Sequence, residues 1–239
     1  MQLAIVEIVQ GVFCLLFVVI SIILGTKILY KYFTYKQESL IFVGLTWIGM
    51  SFPWVPDAIN LILILGFNTS LNDMIYFTIV IAFLPFPLTT WLIAFFDFFS
   101  INKKKTLLVI SIILTSIFEF FYFSILFHDI SLIGYMVAPF LAEYTVFFQL
   151  YFLVIILTFS ITGIIFAAAS LKADKREIRL KGKLILIAFI LFTLGAILEA
   201  VVPLTTITVV FSRSVLISSA IMYYIGFILP ERIKRIFLK

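Results

Sequence analysis

Polar and ionisable side chains interrupt several long apolar stretches of this sequence, and they are its strongest candidates for chemistry. An ionised group near the centre of a bilayer costs at least about 2.5–3.5 kcal/mol, so each one needs a partner, a cavity or a shallow position. Several acids facing one arginine would form a polar cavity suited to a small ligand or a cation. We therefore predict a ligand-binding site that contains Trp54, Asp57, Asn60, Glu119, Glu199 and Arg213.

A simpler interpretation of two of these residues stays open. Glu199 and Arg213 lie on either side of a predicted turn near residues 204–206, each within about 10 Å of it along a helix. They therefore belong to neighbouring antiparallel helices at similar depth. In that interpretation they form a structural ion pair and bind no ligand.

Residues suited to catalysis or metal binding are scarce. His128 is the single histidine and Cys14 the single cysteine, which argues against a Ser-His-Asp system and a histidine-based metal site. The sequence has no His-Glu-x-x-His, phosphate-binding loop or Gly-x-Ser-x-Gly motif. The last apolar stretch contains Arg213 but no lysine, which disfavours a retinal Schiff base. We predict that the protein is not an enzyme, with no catalytic residues, no metal and no cofactor.

The elements that must position the polar residues are membrane helices. The chain is 64% hydrophobic and 12% charged, with a mean hydropathy of +1.27, which is far more apolar than a soluble domain. In lipid every backbone N–H and C=O must be satisfied internally, and apolar runs of about 20 residues favour helices over barrel strands. We predict seven spans, numbered 1 to 7, at residues 4–29, 40–66, 74–100, 106–127, 143–171, 184–203 and 206–229.

These spans predict an all-α polytopic membrane protein, a seven-transmembrane-helix bundle in which residues 1–239 form a single domain. Of the 17 basic residues, all but Arg213 lie at alternate connections or in the tail. The positive-inside rule then predicts a multi-pass protein of the cell membrane, with its N-terminus outside and its C-terminus in the cytoplasm. Because the basic residues stand between apolar runs, we expect the lipid bilayer, and not nucleic acid, to be their partner.

Prolines predict interruptions in two of the spans. Pro53 and Pro56 fall in span 2, and Pro85 and Pro87 fall in span 3. Each proline removes a backbone donor and kinks a helix, so the freed carbonyls must face protein or water. We expect span 2 to open near residues 52–60, where it would form one wall of the ligand site.

Four motifs resemble the seven-helix membrane module at the N-terminus of many prokaryotic sensor histidine kinases. They are Gly25-Thr-Lys-Ile-Leu-Tyr30-Lys-Tyr, Glu38-Ser-Leu-Ile-Phe-Val-Gly-Leu-Thr-Trp47-Ile-Gly, Lys175-Arg-Glu-Ile-Arg-Leu-Lys-Gly-Lys183 and Gly226-Phe-Ile-Leu-Pro230-Glu-Arg-Ile-Lys. The resemblance implies that the bundle senses a signal and passes it through span 7 to a cytoplasmic kinase or cyclase. Since few residues follow Pro230, the output would require a separate cytoplasmic signalling protein.

Three functional hypotheses follow. The first is a sensor-like or receptor-like protein that binds a small ligand or cation in the outer half of the bundle and signals through that partner. The second is a small transporter that uses the proline-broken spans 2 and 3. The third is a structural or assembly partner of another membrane protein, with the small-residue run Ala167-Ala-Ala-Ser170 as its packing face.

Overall fold

The computed structural model describes residues 3–201 and 205–238, and within them the chain is built almost wholly of helices. Seven of the described helical segments are long and apolar enough to cross a membrane. The elements are α1 (Ile5–Tyr35), α2 (Ser39–Met50), α3 (Val55–Phe67), α4 (Asp73–Ile81), α5 (Pro85–Phe98), α6 (Lys104–His128), β1 (Gly134–Ala138), β2 (Leu141–Tyr144), α7 (Val146–Leu171), α8 (Arg176–Val201), α9 (Thr206–Ile228) and α10 (Glu231–Phe237).

Spans 2 and 3 are each made of two helices, as the prolines predict. Span 2 consists of α2 and α3, joined by a 3₁₀ turn at Phe52–Trp54. Span 3 consists of α4 and α5, and α5 begins at Pro85. The helix cannot continue through these points because proline has no N–H to donate to the preceding turn.

A β-hairpin stands where the sequence predicts a plain connection and the start of span 5. Strands β1 and β2 pair antiparallel, with an irregular register between Met136 and Ala138. Residues 141–144 are therefore strand, and α7 begins at Val146, not at residue 143 as predicted. Hydropathy alone does not separate an apolar strand of four residues from the first turn of an apolar helix.

Two helices extend further than predicted at the end of the bundle that carries the basic connections, named here the basic end. Helix α1 continues to Tyr35 where the prediction stops at 29, and α8 begins at Arg176 where the prediction starts at 184. Lysine and arginine are good helix formers that can leave their charges in water. Hydropathy detects only the part of a helix that lies in hydrocarbon. The predicted end of span 6 at 203 and most of the turn at 204–206 lie outside the described residues.

Aromatic side chains fill the core of the bundle. Trp47 stacks on Tyr223 with ring centroids 4.2 Å apart, and this pair joins α2 to α9. Trp91 of α5 packs against Phe159 and Phe189 of α7 and α8. Helix α6 stands at the edge of the bundle. Only 6% of the residues in its apolar stretch are buried in the protein, against 56% in that of span 2. The exposed side chains of α6 are mostly large and apolar, as expected for a surface that faces lipid.

Helices α1 and α2 approach so closely that their backbones meet at Gly25 and Gly44. A Cβ at Gly44 would lie 2.6 Å from the carbonyl oxygen of Gly25, and a Cβ at Gly25 would lie 2.8 Å from the carbonyl oxygen of Gly44. A backbone oxygen cannot move aside as the end of a flexible side chain can. Small residues are a common means of bringing membrane helices into such close contact.

We predict that Gly44→Ala lowers the stability of the folded protein by about 1–3 kcal/mol, the usual cost of overpacking a core. Thermal unfolding of the detergent-purified protein measures this effect. Gly66→Ala is the matched control, because a Cβ there meets nothing within 4 Å. The control should be neutral or slightly stabilising, since alanine favours helix over glycine. Equal losses in the two variants would contradict a close approach of α1 and α2.

Candidate functional site

A buried ion pair between α8 and α9 lies at the centre of the polar residues. The Arg213 Nη1 atom lies 3.0 Å from Glu199 Oε2, and the two side chains are only 4% and 14% exposed. Arg213 lies seven residues after Thr206, the first residue of α9, hence about 10 Å from the end of the bundle that bears the hairpin. We name this end the hairpin end. The sequence placed both residues at a similar depth on adjacent helices, and the structure brings them into contact.

Trp54 connects this ion pair to the break in span 2. Its Nε1 donates a hydrogen bond of 2.7 Å to Glu199 Oε2, and the guanidinium of Arg213 lies 5.4 Å from the centroid of its ring. Ser212 Oγ donates to the other carboxylate oxygen of Glu199 at 3.2 Å. Phe17 of α1 packs edge-on against the Trp54 ring at 4.9 Å. Glu199 therefore has a partner on each oxygen.

Asp57 forms the second part of the site and has its own donors. Tyr76 Oη donates to Asp57 Oδ1 at 2.7 Å, and Cys14 Sγ donates to Oδ2 at 3.3 Å. The aspartate is 4% exposed. Arg213 is near enough to attract the Asp57 carboxylate electrostatically. Among the described residues, however, its direct ion pair is with Glu199. The two acids and the five residues that contact them form what we name the polar cluster: Cys14, Trp54, Asp57, Tyr76, Glu199, Ser212 and Arg213.

Arg213 keeps donors that no described residue accepts. Its Nε and Nη1 atoms are buried and have no hydrogen-bond partner, although Nη1 lies within ion-pair distance of Glu199. Leaving a buried donor unpaired costs about 1–3 kcal/mol, and more for a charged group. The arginine is therefore suited to bind one more acceptor, such as a water molecule or a small polar ligand.

The polar cluster also has unequal charges. With both carboxylates ionised, Asp57 and Glu199 carry two negative charges against the single positive charge of Arg213. No other basic residue is recorded in ionic or hydrogen-bonding contact with these acids among the described side chains. An unbalanced charge inside a membrane protein is costly, so uptake of a proton or a monovalent cation would stabilise the cluster.

The hairpin covers the polar cluster from the hairpin end. Asn60 Nδ2 donates to the carbonyl oxygen of Pro139 at 2.6 Å, and Gln10 Nε2 donates to that of Phe140. Asn60 lies one turn beyond Asp57 on α3, and Gln10 lies one turn beyond Cys14 on α1. The turn of the hairpin is thus held between α1 and α3, directly above the cluster.

Two further contacts fix this cover. Phe140 is 2% exposed and packs with Leu61 and Ile64 of α3. Asn60 Oδ1 also accepts a hydrogen bond of 2.7 Å from the backbone N–H of Leu71. Both ends of the Asn60 amide are therefore occupied by backbone groups. In this structure Asn60 fastens the cover, whereas the sequence assigned it to the wall of the ligand site.

Glu119 lies apart from the polar cluster. It interacts electrostatically with Tyr122 and Tyr151, in the aromatic contact between α6 and α7. Its Oε1 atom is buried without a hydrogen-bond partner. The structure thus brings together Trp54, Asp57, Glu199 and Arg213, places Asn60 one turn above them, and leaves Glu119 on a peripheral helix.

Four residues that complete the arrangement were not among the predicted site residues: Gln10, Cys14, Tyr76 and Ser212. Cysteine, tyrosine and serine are common in apolar helices, so the residue type alone does not indicate that they belong to a polar site. Gln10 is the exception, since a primary amide six residues into an apolar helix needs a partner. Within residues 3–201 and 205–238, no group of three or more His, Cys, Asp or Glu side chains could hold a metal ion.

A scan against protein-family models finds no family that matches the chain, and a search of curated proteins finds no relative. The resemblance to the sensor module of histidine kinases therefore depends on the four motifs. The seven long apolar helices are consistent with the layout of that module.

We predict that Arg213→Met destabilises the protein by about 3–5 kcal/mol, because it leaves the buried Glu199 carboxylate without its counter-charge. Adding Glu199→Gln should restore most of that loss, since the glutamine keeps an acceptor for Trp54 and carries no charge. Thermal unfolding of the two single variants and the double variant gives the coupling between the residues. Losses that simply add would show that the two side chains act independently.

Proposed function

We propose that this chain is a sensor-like or receptor-like integral membrane protein that binds a small ligand or cation at the polar cluster. The single observation that supports it most is Arg213, whose buried donors lack acceptors beside two acidic side chains. A purely structural pair would be expected to satisfy its donors. Unsatisfied donors on a buried arginine and a carboxylate in excess of the cations together favour a site that gains stability by taking up another species.

The connections of the polar cluster suggest how binding would be transmitted. Its members belong to spans 1, 2, 3, 6 and 7, and two of these spans are broken close to the site. Between Arg213 and the basic end, helix α9 contains three fully buried residues, Leu216, Ala220 and Tyr223. A ligand that prefers one packing of these helices would shift the equilibrium between two arrangements. We propose that span 7 carries this shift to a separate cytoplasmic signalling protein.

We further propose that the basic end faces the cytoplasm of a cell membrane, so that the hairpin and the N-terminus are outside. The charge distribution supports this orientation, since every basic residue except Arg213 belongs to a connection, helix end or tail of the basic end. The polar cluster would then lie in the outer half of the bilayer, beneath the hairpin.

The packing favours neither of the two alternative functions. A transporter needs a polar route through the bundle, but Trp47, Phe192 and Tyr223 pack together on the basic-end side of the cluster. For an assembly partner, the small-residue run Ala167–Ser170 should be free. Instead Ala167 is fully buried and Ser170 lies close to Gly182 of α8, so part of the run packs inside the bundle.

Thermal unfolding of the detergent-purified protein, measured against a panel of cations, small organic acids, amines and pH values, tests the proposed function. A ligand at 100 times its dissociation constant should stabilise the folded state by about 2.7 kcal/mol. We expect Asp57→Asn to remove or strongly reduce the stabilisation. Asp97→Asn is the control, because Asp97 pairs with Lys104 at the basic end. The proposal is wrong if no class stabilises the protein, or if Asp57→Asn responds like the unmodified chain.

The proposed orientation predicts the labelling of single cysteines introduced into a Cys14→Ala background. Val137 in β1 is 51% exposed, and Lys103 is an exposed residue between α5 and α6. In intact cells a membrane-impermeant thiol reagent should modify Val137→Cys, and it should modify Lys103→Cys only after permeabilisation. The reverse pattern would invert the topology and place the polar cluster in the cytoplasmic half.

A further inference from the structure

A cavity opens at the basic end between α8, α9 and α10, and none of the residues that line it belongs to the polar cluster. Its volume is about 550 Å³. One part of its wall is basic, with Arg176, Arg179 and Lys183, and no acidic residue lines it. The spacing of these three residues places them on one face of α8, since positions three, four and seven apart fall on the same side of a helix.

The rest of the wall is apolar and extends along the bundle. Leu184 and Ile187 continue the same face of α8 away from the basic end, and Met222 of α9 faces them. Ile187 is 44% exposed, so this part of the cavity opens onto the surface that meets lipid. The cavity therefore has a cationic mouth at the level of the headgroups and an apolar floor at the level of the acyl chains.

Two contacts hold the mouth of the cavity in shape. Lys234 of α10 pairs with Glu177 of α8 at 2.7 Å, which keeps α10 against α8 and places Phe237 on the cavity wall. Arg179 Nη1 donates to the carbonyl oxygens of Ala173 and Asp174 at 3.1 and 3.0 Å. These bonds fix the direction of the Arg179 side chain while the other guanidinium nitrogens stay available for an anion.

We infer that this cavity binds the phosphate headgroup of an anionic phospholipid, with the acyl chains lying along Ile187 and Met222. Arginine recognises phosphate through paired N–H donors, and lysine adds a flexible point charge. Basic cavities between membrane helices are suited to anionic headgroups. A free phosphate would use the same cations but would leave the apolar floor exposed to water, which favours the lipid as the occupant.

Lipid titration of the purified protein in a neutral detergent tests this site. Phosphatidylglycerol should bind and raise the thermal unfolding temperature, while phosphatidylcholine and glycerol 1-phosphate should not. Arg176→Gln with Lys183→Gln should weaken the binding of phosphatidylglycerol about 30-fold, at about 1 kcal/mol for each cation. This pair spares Arg179 and its backbone bonds, so the fold at the start of α8 is retained.

The control variant is Lys103→Gln with Lys105→Gln, which removes the same charge from exposed positions of the same end. Its affinity for phosphatidylglycerol should stay within about twofold of the unmodified protein. Equal weakening in the two variants would overturn the site in favour of general attraction to the basic end. Stabilisation by glycerol 1-phosphate equal to that by phosphatidylglycerol would overturn the lipid and indicate a soluble phosphate. Equal binding of phosphatidylcholine would overturn the role of charge.

Discussion

A guanidinium group enclosed in an apolar bundle must have acids beside it, and this requirement constrains the hairpin half of the molecule. Arg213 cannot lose its proton, and its side chain is only 4% exposed. Glu199 meets it from α8, and Trp54 then bonds to Glu199 from the break in span 2. Asp57 follows Trp54 within the same turn of chain, so its position is set by the same break. The charge of Arg213 therefore constrains how α3, α8 and α9 are positioned along one another.

The broken helices and the hairpin have a common explanation in this arrangement. Without the turn at residues 52–54, Trp54 would continue the direction of α2 and could not bond to Glu199. Asp57, on the helix that follows the break, and Glu199 of α8 lie close to the hairpin end of the bundle. The turn of the hairpin covers them, because Gln10 and Asn60 bind its carbonyl groups one helical turn above the acids. Polar side chains of the helices thereby donate hydrogen bonds to the backbone carbonyl groups of a loop that enters the bundle.

The sequence was informative wherever one physical effect dominated. Hydropathy located all seven spans, and proline chemistry located both interruptions, since Pro53 and Pro85 leave few alternatives for the backbone. The pairing of Glu199 with Arg213 could be anticipated because a short turn fixes the relative depth of two antiparallel helices. Each of these inferences is local or depends on a single distance along the chain.

Other features could not be predicted because they depend on the rotation of helices about their axes. Nothing in the apolar surroundings of Glu119 shows that it faces α7 and not the centre of the bundle. The donors of Asp57 come from α1 and α4, at distances of 43 and 19 residues along the chain. The hairpin was missed for a different reason. Its strands are short and apolar, and its turn is held over the polar cluster by contacts with α1 and α3 that are distant in sequence.

The composition of the polar cluster argues against a purely structural role. Replacing a buried ion pair by apolar residues of similar volume is often neutral or stabilising, so stability alone does not require Arg213 and Glu199. Stability requires Asp57 even less, because it adds a second negative charge that must be held by Tyr76 and Cys14. On the function proposed above, an arrangement with one acid in excess and two arginine donors without acceptors would be more stable when occupied than when empty. That difference in free energy is what a binding site needs in order to change the packing of the helices around it.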